Sequence, residues 1–167
     1  MRILALASLL MVLCLAAPAL ALVGPGVPLA NVTLPDTQGN QHRLADLVKD
    51  KAAVIVYWSV SCPHCRTEIP RLMALDKELE GNPMVMLFVN ADGKAMTPAV
   101  KAYAQQEGLP QPWLMDMGPN DSLPLADAYD LIATPAVLVL DKKGTLLLAQ
   151  EIKPDLKQVK QALRNAF

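Results

Sequence analysis

The chain has 167 residues, with 15 basic against 16 acidic side chains and a formal net charge of −1. That length suffices for one domain with a real core and is too short for two ordinary ones. The balanced charge excludes a basic nucleic-acid footprint and an acidic tail.

Met1-Arg2 gives a short positive start, and Ile3 to Leu15 is almost wholly apolar. Pro18 breaks the run before Ala19-Leu20-Ala21, a small-x-small site, so residues 1–21 read as a signal peptide cut after Ala21. The alternative is an uncleaved membrane anchor, because the apolar character continues to Val23 and is long enough to span a bilayer. A lipoprotein signal at Cys14 is disfavoured by the bulky Leu13. On either reading the domain is exported. Residues 22–30, rich in glycine and proline, are expected as a linker, and 31–167 as the folded domain.

Val32-Thr33-Leu34 is a short extended piece, and Asp36-Thr37-Gln38-Gly39-Asn40 predicts a hairpin into Gln41 to Leu44. Leu44 to Val48 predicts one helical turn. Ala53 to Trp58 is a continuous β-branched and aromatic run, the pattern of a buried central strand. It leads into Cys62-Pro63-His64-Cys65. Pro63 suits the first turn of a helix, where its missing N–H costs little. That helix is predicted to reach about Glu80, with Ile69, Leu72, Leu75 and Leu79 at helical spacing and a kink at Pro70. Gly81-Asn82-Pro83 stops it.

Met84 to Val89 predicts a second buried strand, with Met84 and Met86 in the core. Thr97 to Glu107 predicts a helix capped by Thr97 and ended by Gly108. Trp113 to Met115 is a short extended segment, and Leu123 to Tyr129 a short helix. Ala136 to Leu140 and Thr145 to Gln150 are strands joined by the turn Asp141-Lys142-Lys143-Gly144. Pro154-Asp155 opens a final helix to about Asn165. Parallel strands joined by helices and closed by an antiparallel hairpin make a mixed, helix-covered α/β sheet.

The chain has three cysteines, and Cys14 lies in the signal segment, leaving Cys62 and Cys65. One close pair is not a stapling framework, which uses several widely spaced cysteines. Its loop constrains the unfolded chain little. Two cysteines with two residues between them can instead close a small disulfide across one helical turn. Cys62 gains from the positive helix end and from the neighbouring imidazole of His64, both of which favour the thiolate that attacks disulfides. The pair therefore reads as a reactive dithiol. A zinc site is disfavoured, since only His42 and His64 could join the two cysteines and His64 lies inside their loop.

The ordered set of motifs resembles a known family. A strand ending in Trp58, Cys-x-x-Cys at a helix start, Pro70 within the helix, and Thr134-Pro135 before a hairpin are similar to the thioredoxin fold. More narrowly, Cys62-x-x-Cys65-Arg66-Thr67-Glu68-Ile69-Pro70, followed by Tyr129, Thr134-Pro135, Leu140-Asp141 and Gly144, resembles the TlpA/ResA/CcmG type. Leu34-Pro35-Asp36-x-x-Gly39 and Leu44-Ala45-Asp46-Leu47 are similar to that family's N-terminal hairpin extension. The resemblance covers about residues 27 to 165. It implies a thioredoxin-like fold, a mixed sheet flanked by helices with an N-terminal β-hairpin extension, and thiol-disulfide chemistry through a Cys62–Cys65 disulfide with no bound cofactor.

The resemblance also implies residue roles. Cys62 is the nucleophile at the exposed end and Cys65 the deeper resolving thiol. Glu68, three residues on and on the same helix face, exchanges the proton of the buried thiol if burial raises its pKa; the alternative is a solvated surface carboxylate. Pro135 is the cis-proline facing the cysteines, with Thr134 supplying a substrate-facing backbone group. Trp58 packs beside the site, and a core aromatic is the equal alternative. The chain departs from the family in carrying Pro63-His64 between the cysteines, as DsbA-like oxidants do, in Ser61 where Trp is frequent, and in Val56 where thioredoxin has a buried acid.

The expected function is a periplasmic or membrane-anchored thiol-disulfide oxidoreductase. Its substrates are exported protein thiols or disulfides, and a membrane thiol donor or acceptor recharges it. Reduction, as in cytochrome c maturation, is the preferred direction, and the alternative is disulfide formation. A reading of another class is a Cu(I) chaperone using Cys62, Cys65 and Met115-x-Met117. A monomer is expected.

Overall fold

The structure is a computed structural model and describes residues 23–167; the signal-peptide reading of 1–21 lies outside the described residues. A hairpin of β1 (Thr33–Pro35) and β2 (Gln41–Arg43) opens the fold, followed by the single turn α1 (Leu44–Leu47). The body comprises β3 (Ala52–Trp58), α2 (Pro63–Glu78), β4 (Met84–Asn90), α3 (Thr97–Glu107), β5 (Leu114–Met115), α4 (Pro124–Tyr129), β6 (Ala136–Leu140), β7 (Leu146–Glu151) and α5 (Leu156–Ala166). The five-stranded sheet has the order β5-β4-β3-β6-β7. β3 runs parallel to β4 and antiparallel to β6, so the sheet is mixed, as expected.

The unbroken apolar run of β3 is explained by its central place. All seven of its residues are buried, and alternate side chains enter two separate cores. Ala52, Val54, Val56 and Trp58 pack with Ile69, Leu72 and Leu75 of α2, Val100 of α3 and Val159 and Leu163 of α5. Ala53, Ile55 and Tyr57 pack on the other face with Leu34, Leu44, Leu125 and Tyr129. Each large aliphatic side chain so buried contributes about 1.5–3 kcal/mol. Val56, where thioredoxin has an acid, is fully buried.

Several boundaries moved for local reasons. Thr97 does not cap α3: a 3-10 turn over Lys94–Met96 precedes the helix, and Thr97 Oγ1 donates to the Lys94 carbonyl. Gly108 ends α3 in the left-handed region at φ 67°, which glycine tolerates without a Cβ clash. α2 runs through Pro70 to Glu78. The stretch expected as a linker is hydrogen-bonded along 26–29 to the first residue of β7 and the turn before it. Gly26 N donates to Leu146 O and Leu146 N to Val27 O, both at 2.8 Å, and Leu29 N donates to Gly144 O at 2.6 Å. No helix among the described residues is long and apolar enough to cross a membrane.

Candidate active site

The site forms where β3 ends and α2 begins. Cys62 is the N-cap of α2, in extended conformation, with Pro63 at the first helical position. Its Sγ accepts a hydrogen bond from Cys65 N at 3.0 Å, which places the sulfur on the free N–H groups of the helix start. Cys62 and Cys65 form a disulfide, with Cα atoms 5.3 Å apart. Cys65 is 1% exposed and Cys62 only 8%, so the end expected to be exposed is largely covered. The cover includes the Thr134–Pro135 loop. That peptide bond is cis, and the Thr134 carbonyl oxygen lies 3.3 Å from Cys62 Sγ. A second cis bond, Gln111–Pro112, was not anticipated.

Glu68 stands on the buried face of α2 with Cys65. At 6% exposure it is not the solvated carboxylate of the alternative reading. Arg71 Nη1 donates to both of its oxygens, at 2.9 and 2.7 Å. The spacing of three residues along a helix makes that pair a neighbouring one, yet the sequence reading overlooked it. His64 is exposed. Trp58 is buried in the same cluster as both cysteines and packs on Tyr103, ring centroids 4.9 Å apart. Burial pushes the Tyr103 phenol up, with Glu107 adding to the shift. Met115 is fully buried in the same cluster as the cysteines, and Met117 packs against that cluster. Among the described residues no group of three or more His, Cys, Asp or Glu side chains is placed to hold a metal ion.

Sequence reasoning missed the acids that hold the two loops around Cys62. Asp92, just beyond β4, accepts from Ser59 Oγ and Val60 N at 2.8 Å each and from Asn90 Nδ2 at 2.9 Å. Asn90 is fully buried and reaches Trp58 O at 3.3 Å. The segment leading into Cys62 is therefore tied to the end of the neighbouring strand. Glu151, at the end of β7, accepts through Oε1 from Ile132 N at 2.7 Å and Ala133 N at 2.8 Å. Strand-end acids facing a loop are too common in sequence to mark these two.

Two further buried acids serve the other face. Asp116 accepts from Leu125 N and Ala126 N at the start of α4, while burial pushes its carboxyl up. Burial opposes ionisation of Asp36, but hydrogen bonds from His42, Asn40 and Gln38 outweigh it and hold the carboxyl at about 2.

A cysteine pair at a helix start, against a cis-proline loop on a mixed five-stranded sheet, defines the thioredoxin-like class of thiol-disulfide oxidoreductases. The AhpC/TSA family model matches residues 25–149, and the chain belongs to that family, within it to the TlpA/ResA/CcmG type. It is 26% identical over 127 residues to the thiol-disulfide oxidoreductase ResA of Halalkalibacterium halodurans, covering 76% of this chain and 68% of ResA. Among solved structures, the thioredoxin domain of a Bacteroides vulgatus thiol-disulfide oxidoreductase aligns with a TM-score of 0.72 at 16% identity, over 87% of this chain and 99% of that one. A thioredoxin-family thiol:disulfide interchange protein from Chlorobium tepidum aligns with a TM-score of 0.68 at 18% identity, over 86% and 98% of the two chains.

Proposed function

We propose that this protein is an exported reductase of disulfides in other exported proteins, working in the periplasm or on the membrane surface facing it. The observation that supports this reading is the shared burial of Cys65 and Glu68 on one face of α2, which serves exchange in either direction. The reductase direction rests on the family resemblance. In the reduced protein the Cys62 thiolate, stabilised by the helix start, attacks one sulfur of a substrate disulfide. The substrate S–S bond breaks, its leaving sulfur takes a proton, and a Cys62–substrate disulfide forms. Cys65 gives its proton to Glu68 and attacks Cys62 Sγ. The mixed disulfide breaks, the second substrate thiolate leaves and is protonated, and Cys62–Cys65 is oxidised. Two electrons have passed to the substrate, and a membrane thiol donor returns them.

Thr134 and Pro135 present backbone beside Cys62 for an extended substrate, and Trp58 and Pro63 shape the floor and rim of the site. No bound cofactor enters these steps. The oxidant alternative rests on His64 stabilising the Cys62 thiolate. Its imidazole is exposed, where solvent screens its pull on the sulfur.

Equilibration of the pair against glutathione buffers tests the direction. A potential near thioredoxin's, about −270 mV, is expected; one near DsbA's, about −120 mV, would assign the protein to disulfide formation. A Cys65→Ser variant should trap the substrate as a mixed disulfide for identification.

A further inference from the structure

The loop that covers Cys62 owes its position to the end of a strand remote from it in sequence. β6 and β7 pair antiparallel, with Ala136 opposite Glu151. The next residue, Ile152, turns into the left-handed region at φ 67°, which is strained for a β-branched side chain. In that conformation its N–H donates to Pro135 O at 2.7 Å. Glu151, one residue earlier, sends its carboxylate to the other end of the same loop, where Oε1 accepts from both Ile132 N and Ala133 N. These two N–H groups have no other partner among the described residues. Glu151 and Ile152 thus hold the loop on both sides of Thr134, whose carbonyl lies on Cys62 Sγ.

We propose that Glu151 is a positioning residue of the exchange site. Its carboxylate fixes where the Thr134 carbonyl and Pro135 stand against Cys62, and so how an extended protein substrate is presented to the sulfur. A carboxylate suits this task because one oxygen can accept two N–H groups at once, in charge-assisted bonds stronger than neutral ones. Ile152 supports the assignment: backbone strain persists where the surrounding structure enforces it, and such outliers cluster at functional sites. The proposal rests on the disulfide-reductase reading for its substrate, but not for its geometry.

The test compares Glu151→Ala and Glu151→Gln with the wild type. Three measurements are made: insulin reduction, reduction of a small aromatic disulfide, and the pH profile of Cys62 alkylation in the reduced protein. In E151A the loop is released, and KM for insulin should rise about tenfold, in keeping with the sensitivity of oriented reactions to small displacements. The small disulfide, which needs no loop, should react within about twofold of wild type. The alkylation midpoint should move to lower pH, because the electron-rich Thr134 carbonyl no longer opposes the Cys62 thiolate.

E151Q keeps an acceptor oxygen and should restore most of all three properties. Unchanged insulin KM and an unchanged alkylation profile in E151A would overturn the proposal. So would parallel loss toward both substrates in E151A and E151Q that tracks a fall in melting temperature, which marks a structural role alone. If the wild type fails to reduce insulin, the reductase reading fails, while the alkylation profiles still decide the role of Glu151.

Discussion

Asp92→Ala cuts the tie between the end of β4 and the segment entering Cys62. The carboxylate accepts from the Ser59 hydroxyl, the Val60 N–H and the Asn90 amide. After truncation Asn90 retains Trp58 O, and Ser59 retains Ser61, its neighbour at 2.9 Å. The Val60 N–H is the group left without its partner. A hydrogen bond to a charged acceptor is worth about 1.5–3 kcal/mol. Asp92 is only half-buried, so water recovers part of the loss. The net cost should be about 2 kcal/mol, read as a lower urea midpoint at constant m-value. For a domain of this size that lowers the melting temperature by roughly 4–8 °C. Asp92→Asn, which keeps one accepting oxygen, should recover about half of it. The rate of mixed-disulfide formation at Cys62 should fall about tenfold in D92A, because the preceding segment no longer holds the sulfur in place. A stability change below about 0.5 kcal/mol, the range of an unremarkable surface substitution, together with a wild-type rate, refutes the reasoning.

Two other outcomes follow from the geometry. Ile152→Gly should stabilise the protein by about 1 kcal/mol, since glycine adopts the left-handed conformation without the Cβ penalty, and chemical denaturation measures it; an equal loss would show the strain to be absent. Asp36 has a folded-state pKa of about 2 against 3.8 unfolded, so the stability it contributes is fully present above pH 3.8 and is lost as the pH falls through 2. His42→Ala removes the 2.9 Å bond to its Oδ2 and should move the acid-unfolding midpoint to higher pH, followed by circular dichroism between pH 5 and pH 1.5.

The central strands were legible because burial on both faces demands unbroken apolar runs, and β3 and β6 supply them. The start of α2 was legible because Pro63 and the paired cysteines carry their own local signals. The cap of α3 was misread, since Thr97 satisfies a local cap pattern and only the preceding 3-10 turn shifts the helix start by a residue. Glu68 was found by its spacing from Cys65, but its burial and its Arg71 partner depend on how α2 lies on the sheet.

Sequence alone determined the dithiol at a helix start and the mixed α/β architecture, because each follows from short-range patterns of residue type. The place of Thr134-Pro135 opposite the cysteines came from the family resemblance. Tertiary structure alone decided what surrounds the sulfur. Asp92 reaches a serine 33 positions away, and Glu151 reaches back 18 and 19 positions to the Ala133 and Ile132 amides. Such contacts exist only once β4 and β7 have taken their places beside β3 and β6. The chemistry is written in neighbouring residues, and its geometry in the pairing of distant strands.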